Sequence, residues 1–271
     1  MSISIIIPTY NRADLVMRAI ESVIRQTDSN WELIIVDDGS TDETQQIIKK
    51  YLNDKVKYIH QKNAGANKAR NLGAKNASYS YVSFLDSDDE LVFDWVDSFQ
   101  AQLEGKPHIV CCGTLRIEAG NQLEVMPKSL GRIFNDAVGK FTNGACYVID
   151  KNLFFETGGF DEELRSGQHT ELSFRLANKI TSKEIKVANI FRPLVKIYIH
   201  DGPRIRTNSE SKFNGALRIL EKHSELLSKE PSLKRNYAKI ISLGAARQRS
   251  FGLAIEAFVI FCKYSILARF N

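Results

Sequence analysis

Apolar positions in the first hundred residues switch repeatedly between a period of two and a period near 3.6. Residues 2–7 form a short β-branched run that reads as a buried strand, and after Pro8 and Asn11 the set Val16, Ala19, Ile20, Val23 and Ile24 falls on one helical face. Residues 31–36 repeat the strand, and Ser40 and Glu43 stand at capping-box spacing ahead of Ile47, Ile48, Tyr51 and Leu52. Residues 56–60 supply a third strand, 66–75 a helix, 81–85 a fourth strand and about 91–103 another helix. Such alternation predicts an α/β fold whose parallel strands carry helices on both faces.

Further along, the pattern leaves the parallel scheme. Residues 108–118 and 123–126 flank Ala119-Gly120-Asn121-Gln122 as a hairpin would, while 127–141 have no clear period. A strand over 145–149, a short helix over 151–156, a Gly158-Gly159 corner and a helix over about 169–178 come next. Two strands, 184–190 and 194–199, follow, the second running into His200-Asp201-Gly202-Pro203-Arg204-Ile205-Arg206. The remainder reads as two or three helices. This divides the chain into a domain over 1–206, with halves 1–104 and 105–206, and a helical extension over 207–271. No internal repeat or low-complexity tract interrupts it.

Composition places the chain among globular proteins, with 43% hydrophobic and 25% charged residues over 271 positions. The opening MSISIIIP enters a strand at once with no basic leader, so a cytoplasmic protein is expected, at most peripheral at the inner face of a membrane. Cys111, Cys112, Cys146 and Cys262 lack C-x-x-C spacing and nearby histidine partners, which points to free, mostly buried thiols. Charge is uneven: residues 201–271 hold 13 Lys and Arg against 6 Asp and Glu, a net of +7, which leaves −2 of the total +5 for residues 1–200. The last helix, about 251–270, is apolar but broken by Glu256, Lys263 and Arg269, short of the ~20 uninterrupted apolar residues that span a bilayer. Phe251, Ile255, Phe258, Cys262 and Ile266 line one of its faces, suited to an anionic membrane surface, the preceding domain or a second subunit. Basic and aromatic residues are not interleaved as in nucleic-acid binders.

Candidate chemistry gathers at strand ends. In open α/β sheets ligands bind outside the carboxyl ends of the strands, where Pro8-Thr9-Tyr10-Asn11, Asp37-Asp38-Gly39 and Asp86-Ser87-Asp88 all fall. Asp86 and Asp88 could hold a hard divalent cation that grips a diphosphate; equally, acids crowd strand ends to turn the chain and cap the next helix. Neither a G-x-G-x-x-G nor a G-x-x-x-x-G-K-[ST] follows the first strand, which disfavours a dinucleotide site and a P-loop.

The strings IIIPTYNR, LIIVDDGSTDET, NAGANKARNLGAK, FLDSDDE and GGFDEEL, in this order across residues 3–164, resemble the family-2 nucleotide-sugar glycosyltransferases of the GT-A fold. The resemblance weakens through 165–206 and nearly vanishes beyond. It implies inverting transfer of a sugar from a nucleotide diphosphate, a UDP-sugar, to a hydroxyl of a glycan or lipid-linked acceptor, with Mn or Mg as cofactor. Residues 1–104 would then be the nucleotide-sugar half and 105–206 the acceptor half.

Carried over by position, Pro8, Thr9 and Tyr10 would line the base pocket, Asp38 would bond the base or ribose, and Arg70 would lie near base and phosphates. Asp86 would touch ribose or metal, Asp88 would ligate the metal with His200 as a third ligand, and Arg204 and Arg206 would clamp the diphosphate. Loop packing is the alternative for Tyr10, a surface salt bridge for Arg70, and a plain loop position for His200. Relatives place a Glu-Asp or Gln-Asp pair where this chain has Gln168-His169-Thr170-Glu171, so the general base falls to His169 or Glu171. Glu171 also stands four residues from Arg175, the spacing of a helical ion pair. A non-catalytic relative that only binds nucleotide sugar is the second reading. A sugar nucleotidyltransferase is the third, though it would want a Gly-rich loop where Pro8-Thr9-Tyr10-Asn11 stands.

Overall fold

The computed structural model describes residues 1–119, 121–126, 141, 143–180, 185–199 and 208–267. Strands β1 (Ile3–Thr9), β2 (Trp31–Asp37), β3 (Val56–His60) and β4 (Tyr81–Phe84) run parallel in the order β3-β2-β1-β4. Every residue of β1 and β2 is buried, as strands covered on both faces require, and their β-branched side chains suit the pleat. Helices α1 (Ala13–Ile24), α2 (Thr44–Lys49) and α3 (Ala66–Lys75) make the crossovers. Val16, Ala19, Ile20 and Val23 form the buried stripe of α1. The capping box expected at Ser40 and Glu43 does not form, because Ser40 Oγ accepts from Asn11 N at 2.9 Å and ties the loop after β2 to the loop after β1.

The second half turns the sheet mixed. Leu91, expected to open a helix, belongs to the short strand β5 (Glu90–Leu91), and α4 (Trp95–Leu103) starts later, with Asp94 as its N-cap residue. The expected hairpin is present as β6 (Ile109–Glu118) and β7 (Asn121–Val125), paired antiparallel. A 3-10 turn, Gly144–Cys146, leads into β8 (Tyr147–Asp150), which is antiparallel to both β4 and β6. Helices α5 (Lys151–Glu156) and α6 (Gln168–Ile180) precede β9 (Val187–Ile199).

Where two strands were expected, β9 is one, parallel to β6 and antiparallel to β5. Pro193 lies within it and has no N–H to donate, so the register against β6 shifts on both sides of its partner Gly113. The strand order is β3-β2-β1-β4-β8-β6-β9-β5, with β7 on β6.

The extension comprises α7 (Ser209–Lys222), α8 (Ser224–Ser228), α9 (Pro231–Arg247) and α10 (Phe251–Leu267). Ile219, Leu226 and Leu227 join the core of the sheet domain, and a second cluster is built from Phe213 and Ala216 of α7, Ile241 and Ala245 of α9, and Ala254 and Ala257 of α10. The apolar face expected of α10 is not packed on the domain: Phe251, Ile255, Phe258 and Ile266 are all exposed. Among the described residues no helix is long and apolar enough to cross a membrane. Cys111, Cys112 and Cys146 are buried free thiols, and Cys262 is exposed.

Candidate active site

The register of the parallel half brings three strand ends to one edge. Asp38 N donates to Thr9 O at 2.8 Å and Leu85 N donates to Ile6 O at 2.9 Å, which seats the turn after β4 beside the ends of β1 and β2. Gly144 lets the turn before β8 close over this point, since a Cβ there would sit 2.0 Å from the Phe84 carbonyl oxygen.

Asn67, Arg70 and Asn71 share one face of α3 and organise the neighbourhood. Buried Arg70 donates from Nη2 to Asp86 Oδ1 at 2.6 Å and from Nη1 to Asn67 Oδ1 at 3.0 Å. Its guanidinium carbon lies 5.6 Å from the centroid of Phe160. Asn67 Nδ2 donates to the carbonyls of Asp161 (2.8 Å) and Leu164 (2.6 Å), while Asn71 bonds both backbone groups of Phe160, at 2.8 and 2.9 Å. The Gly158–Leu164 corner is thus pinned to α3 and its aromatic ring is brought against Arg70.

The three aspartates diverge. Asp86 faces Arg70; Asp88 is half-buried, with its carbonyl accepting from Arg18 Nη2; Asp89 turns inward and is buried. Asp89 accepts from Asn143 Nδ2 at 2.7 Å and from Tyr198 N at 3.3 Å. Burial, and then the charges of Asp86 and Asp88, hold its carboxyl well above the ordinary range. Asp86 and Asp88 offer carboxylate oxygens, the donor type that a hard divalent cation takes. Among the described residues no three His, Cys, Asp or Glu side chains gather closely enough to hold a metal. His200, Arg204 and Arg206 lie outside the described residues.

At the end of β1, Pro8 and Thr9 are buried and Tyr10 is 44% exposed. Asp38 is buried, with Oδ1 accepting from Gln61 Nε2 (2.6 Å) and Ala64 N (2.8 Å) and Oδ2 from Gly65 N (2.8 Å). Its carboxylate therefore holds the loop that leads into α3 and keeps little capacity for a ligand.

His169 and Glu171, two apart at the start of α6, point to different surroundings, as an offset of about 200° requires. His169 is buried against Phe160 and Tyr147, with ring centroids at 5.3 and 6.0 Å, and its Nδ1 lies 3.2 Å from Tyr147 Oη. Burial, reinforced by the Arg70 guanidinium, brings its pKa down to about 3, so the imidazole is neutral across the physiological range. Glu171 is fully buried and faces the extension. It accepts from Arg175 Nε at 2.9 and 3.0 Å, Arg175 Nη2 at 2.6 Å and His223 Nε2 at 3.1 Å, and pairs with Lys222 Nζ at 2.9 Å. Burial alone would raise this carboxyl, but the bonds from His223, Arg175 and Lys222 outweigh it and bring it down to about 2.

Several participants escaped the sequence pattern. Arg18 lies over the ring of Tyr198, 3.8 Å from its centroid; Asn143 stands just before the expected strand over 145–149, and Tyr147 is a residue of that strand that periodicity marks only as core. Asp161 accepts from Arg218 at 2.8 and 2.9 Å and from Lys222 at 2.6 Å, so α7 is latched to the Gly158–Leu164 corner as well as to α6. The i, i+3, i+4 spacing of Asn67, Arg70 and Asn71 was the one readable sign that α3 presents a polar face inward.

The model of the family described as Glycosyl transferase family 2 matches residues 4–160. An uncharacterized glycosyltransferase of Rickettsia conorii is 34% identical over 205 residues, covering 74% of this chain and 33% of that protein. The chain thus spans about a third of the length of the first Rickettsia relatives it matches. WcaA of Escherichia coli, a glycosyl transferase named for colanic acid biosynthesis, is 31% identical over 242 residues, covering 82% of this chain and 81% of that one. In fold, the chain is similar to S. aureus TarS 1–349 solved in complex with UDP-GlcNAc, at a TM-score of 0.66 and 18% identity over 98% of this chain and 92% of TarS 1–349. With the matched family model running through the parallel strands and up to Phe160, the chain belongs to glycosyl transferase family 2 and carries its GT-A fold.

Proposed function

We propose that the protein is an inverting glycosyltransferase that moves a sugar from a UDP-sugar to a hydroxyl of a glycan or lipid-linked acceptor with the help of Mn or Mg. The observation that carries this is a set of buried polar atoms without a protein partner: Arg70 Nε and His169 Nε2, on residues that bond or feel the charge of Asp86, and Thr9 Oγ1 at the end of β1. An unsatisfied buried polar atom costs about 1–3 kcal/mol, which is sustained where a ligand supplies the missing bond. The UDP-GlcNAc in the TarS complex supports a UDP-sugar as the first donor to try, and the name of WcaA supports a glycan acceptor.

In this reading residues 1–104 hold the donor and 105–206 the acceptor, with 207–271 as an extension. Thr9 and Tyr10 meet the base, and Arg70, aligned by Asn67 and Asp86, donates from Nε to the donor. A divalent cation held by Asp88 and Asp86 would offset charge on the leaving diphosphate. With the Nδ1 proton shared toward Tyr147 Oη, the buried Nε2 lone pair of His169, which has no protein partner, would take the acceptor's hydroxyl proton. The acceptor oxygen forms its bond to the anomeric carbon as the bond from that carbon to the diphosphate oxygen breaks, which inverts the centre. Glu171, enclosed by cations, anchors the extension instead.

The second reading, a relative that binds nucleotide sugar without turnover, is favoured by one observation: an imidazole whose pKa is about 3 is a weak base. A thermal-shift screen over nucleoside diphosphates and their sugars, with and without Mn, tests both readings. UDP with Mn should raise the melting temperature, and no shift with any nucleotide would remove the donor site altogether.

A further inference from the structure

We infer that the α9–α10 hairpin is a docking surface for an anionic lipid bilayer. The inference goes beyond the transfer reaction proposed above and does not depend on it. Helix α10 is oriented opposite to what a soluble domain favours. Its inward side carries the small Ala254 and Ala257, while Phe251, Ile255, Phe258, Val259 and Ile266 are 65, 64, 56, 60 and 61% exposed. At 100° per residue these five fall within about 100° of arc, an uncharged stripe along the outer face. On α9, exposed Ile240 and Leu243 continue the apolar surface, between exposed Lys239 and Arg247.

Charge identifies the occupant. Residues 231–267 hold the six cations Lys234, Arg235, Lys239, Arg247, Arg249 and Lys263 against the single acid Glu256. None of the six is paired with a carboxylate among the described residues; Lys234 and Lys263 instead lie over the Tyr264 ring, at 4.9 and 5.9 Å from its centroid. A bulky apolar stripe flanked by uncompensated cations matches a helix lying in the interface, with apolar side chains among the acyl chains and cations at the headgroups. A second copy of the chain fits less well. A helix of this length is about 25 Å long, and one face of it buries roughly a third of the ~800 Å² per partner that a stable interface uses. Two such surfaces would also bring like charges together.

Flotation of the intact 271-residue chain with vesicles tests this. Wild type should float with phosphatidylglycerol-containing vesicles at low salt, stay behind with pure phosphatidylcholine, and lose binding as salt is raised. Phe258→Glu, and separately the triple Lys239→Glu, Arg247→Glu, Lys263→Glu, should each weaken partitioning by about tenfold or more. Circular dichroism unchanged from wild type establishes that these surface variants fold. No flotation with anionic vesicles, or equal flotation with neutral ones, overturns the proposal. So does a concentration-dependent dimer in sedimentation that Phe258→Glu dissociates, which gives the face to a second copy.

Discussion

Arg70 Nη2 donates to Asp86 Oδ1 at 2.6 Å, joining the middle of α3 to the turn at the end of β4. Both groups belong to strings that look independent in the sequence, and the bond makes them one device. Arg70 is held at one end by Asp86 and Asn67, so the unpartnered Nε is presented in a fixed direction. Arg70→Ala should weaken UDP binding by about tenfold or more and cost about 1–3 kcal/mol of stability, since Asn67 and Asp86 lose a buried partner. Arg70→Lys should recover part of the stability and little of the affinity. Calorimetric titration with UDP beside urea unfolding separates the two quantities.

Glu171→Gln should act on stability, not chemistry. Removing the charge leaves Arg175, Lys222 and His223 facing a neutral amide in a buried site, a change of about 3–5 kcal/mol for such networks. Folded protein should keep its turnover per molecule while the melting temperature falls. An unchanged melting temperature with lost turnover would instead make Glu171 the base.

His169→Ala should lower turnover by ~10²-fold or more with donor affinity little changed. Because the folded imidazole titrates at about 3, its protonation should not bend the rate profile between pH 5 and 8. An inflection near 6.5 that His169→Ala removes would show a solvated imidazole.

Stability should fall in acid for a related reason. The unfolded His169 takes up a proton near pH 6.5 that the folded site refuses until about 3, so folding is progressively disfavoured as pH drops through that window. Glu171 adds a second loss with the same sign, present above its unfolded value near 4.5 and gone as pH falls through about 2. Melting temperature between pH 4 and 7 should therefore decline more steeply in wild type than in His169→Asn.

How far these features could be read beforehand follows from what each depends on. The parallel half of the sheet depends on local periodicity and short crossovers, and β1 to β4 lie within a residue or two of their expected bounds. Ser40 belonged to a capping box by spacing, yet its oxygen went to Asn11 N across the loops, a long-range bond with no local signal. Two strands were expected over 184–190 and 194–199, whereas a register shift at Pro193, opposite Gly113, absorbs the missing donor and leaves one strand. Asp38 and Glu171 show the same limit in the site: residue type and position named them, but whether a carboxylate is open to ligand or enclosed depends on Ala64, Gly65, Lys222 and His223, brought up by tertiary packing.

Nucleotide release tests the central claim most directly. Incubated with UDP-sugars, Mn and hydroxyl acceptors, the wild-type protein should liberate UDP in step with loss of donor, faster with the right acceptor. Asp88→Ala should lose the Mn-dependent part, because a charged oxygen ligand is removed and buried Asp89 faces Asn143 and Tyr198 instead. No UDP from any donor, or release that neither Mn nor Asp88→Ala alters, would contradict a metal-assisted sugar transfer at these strand ends.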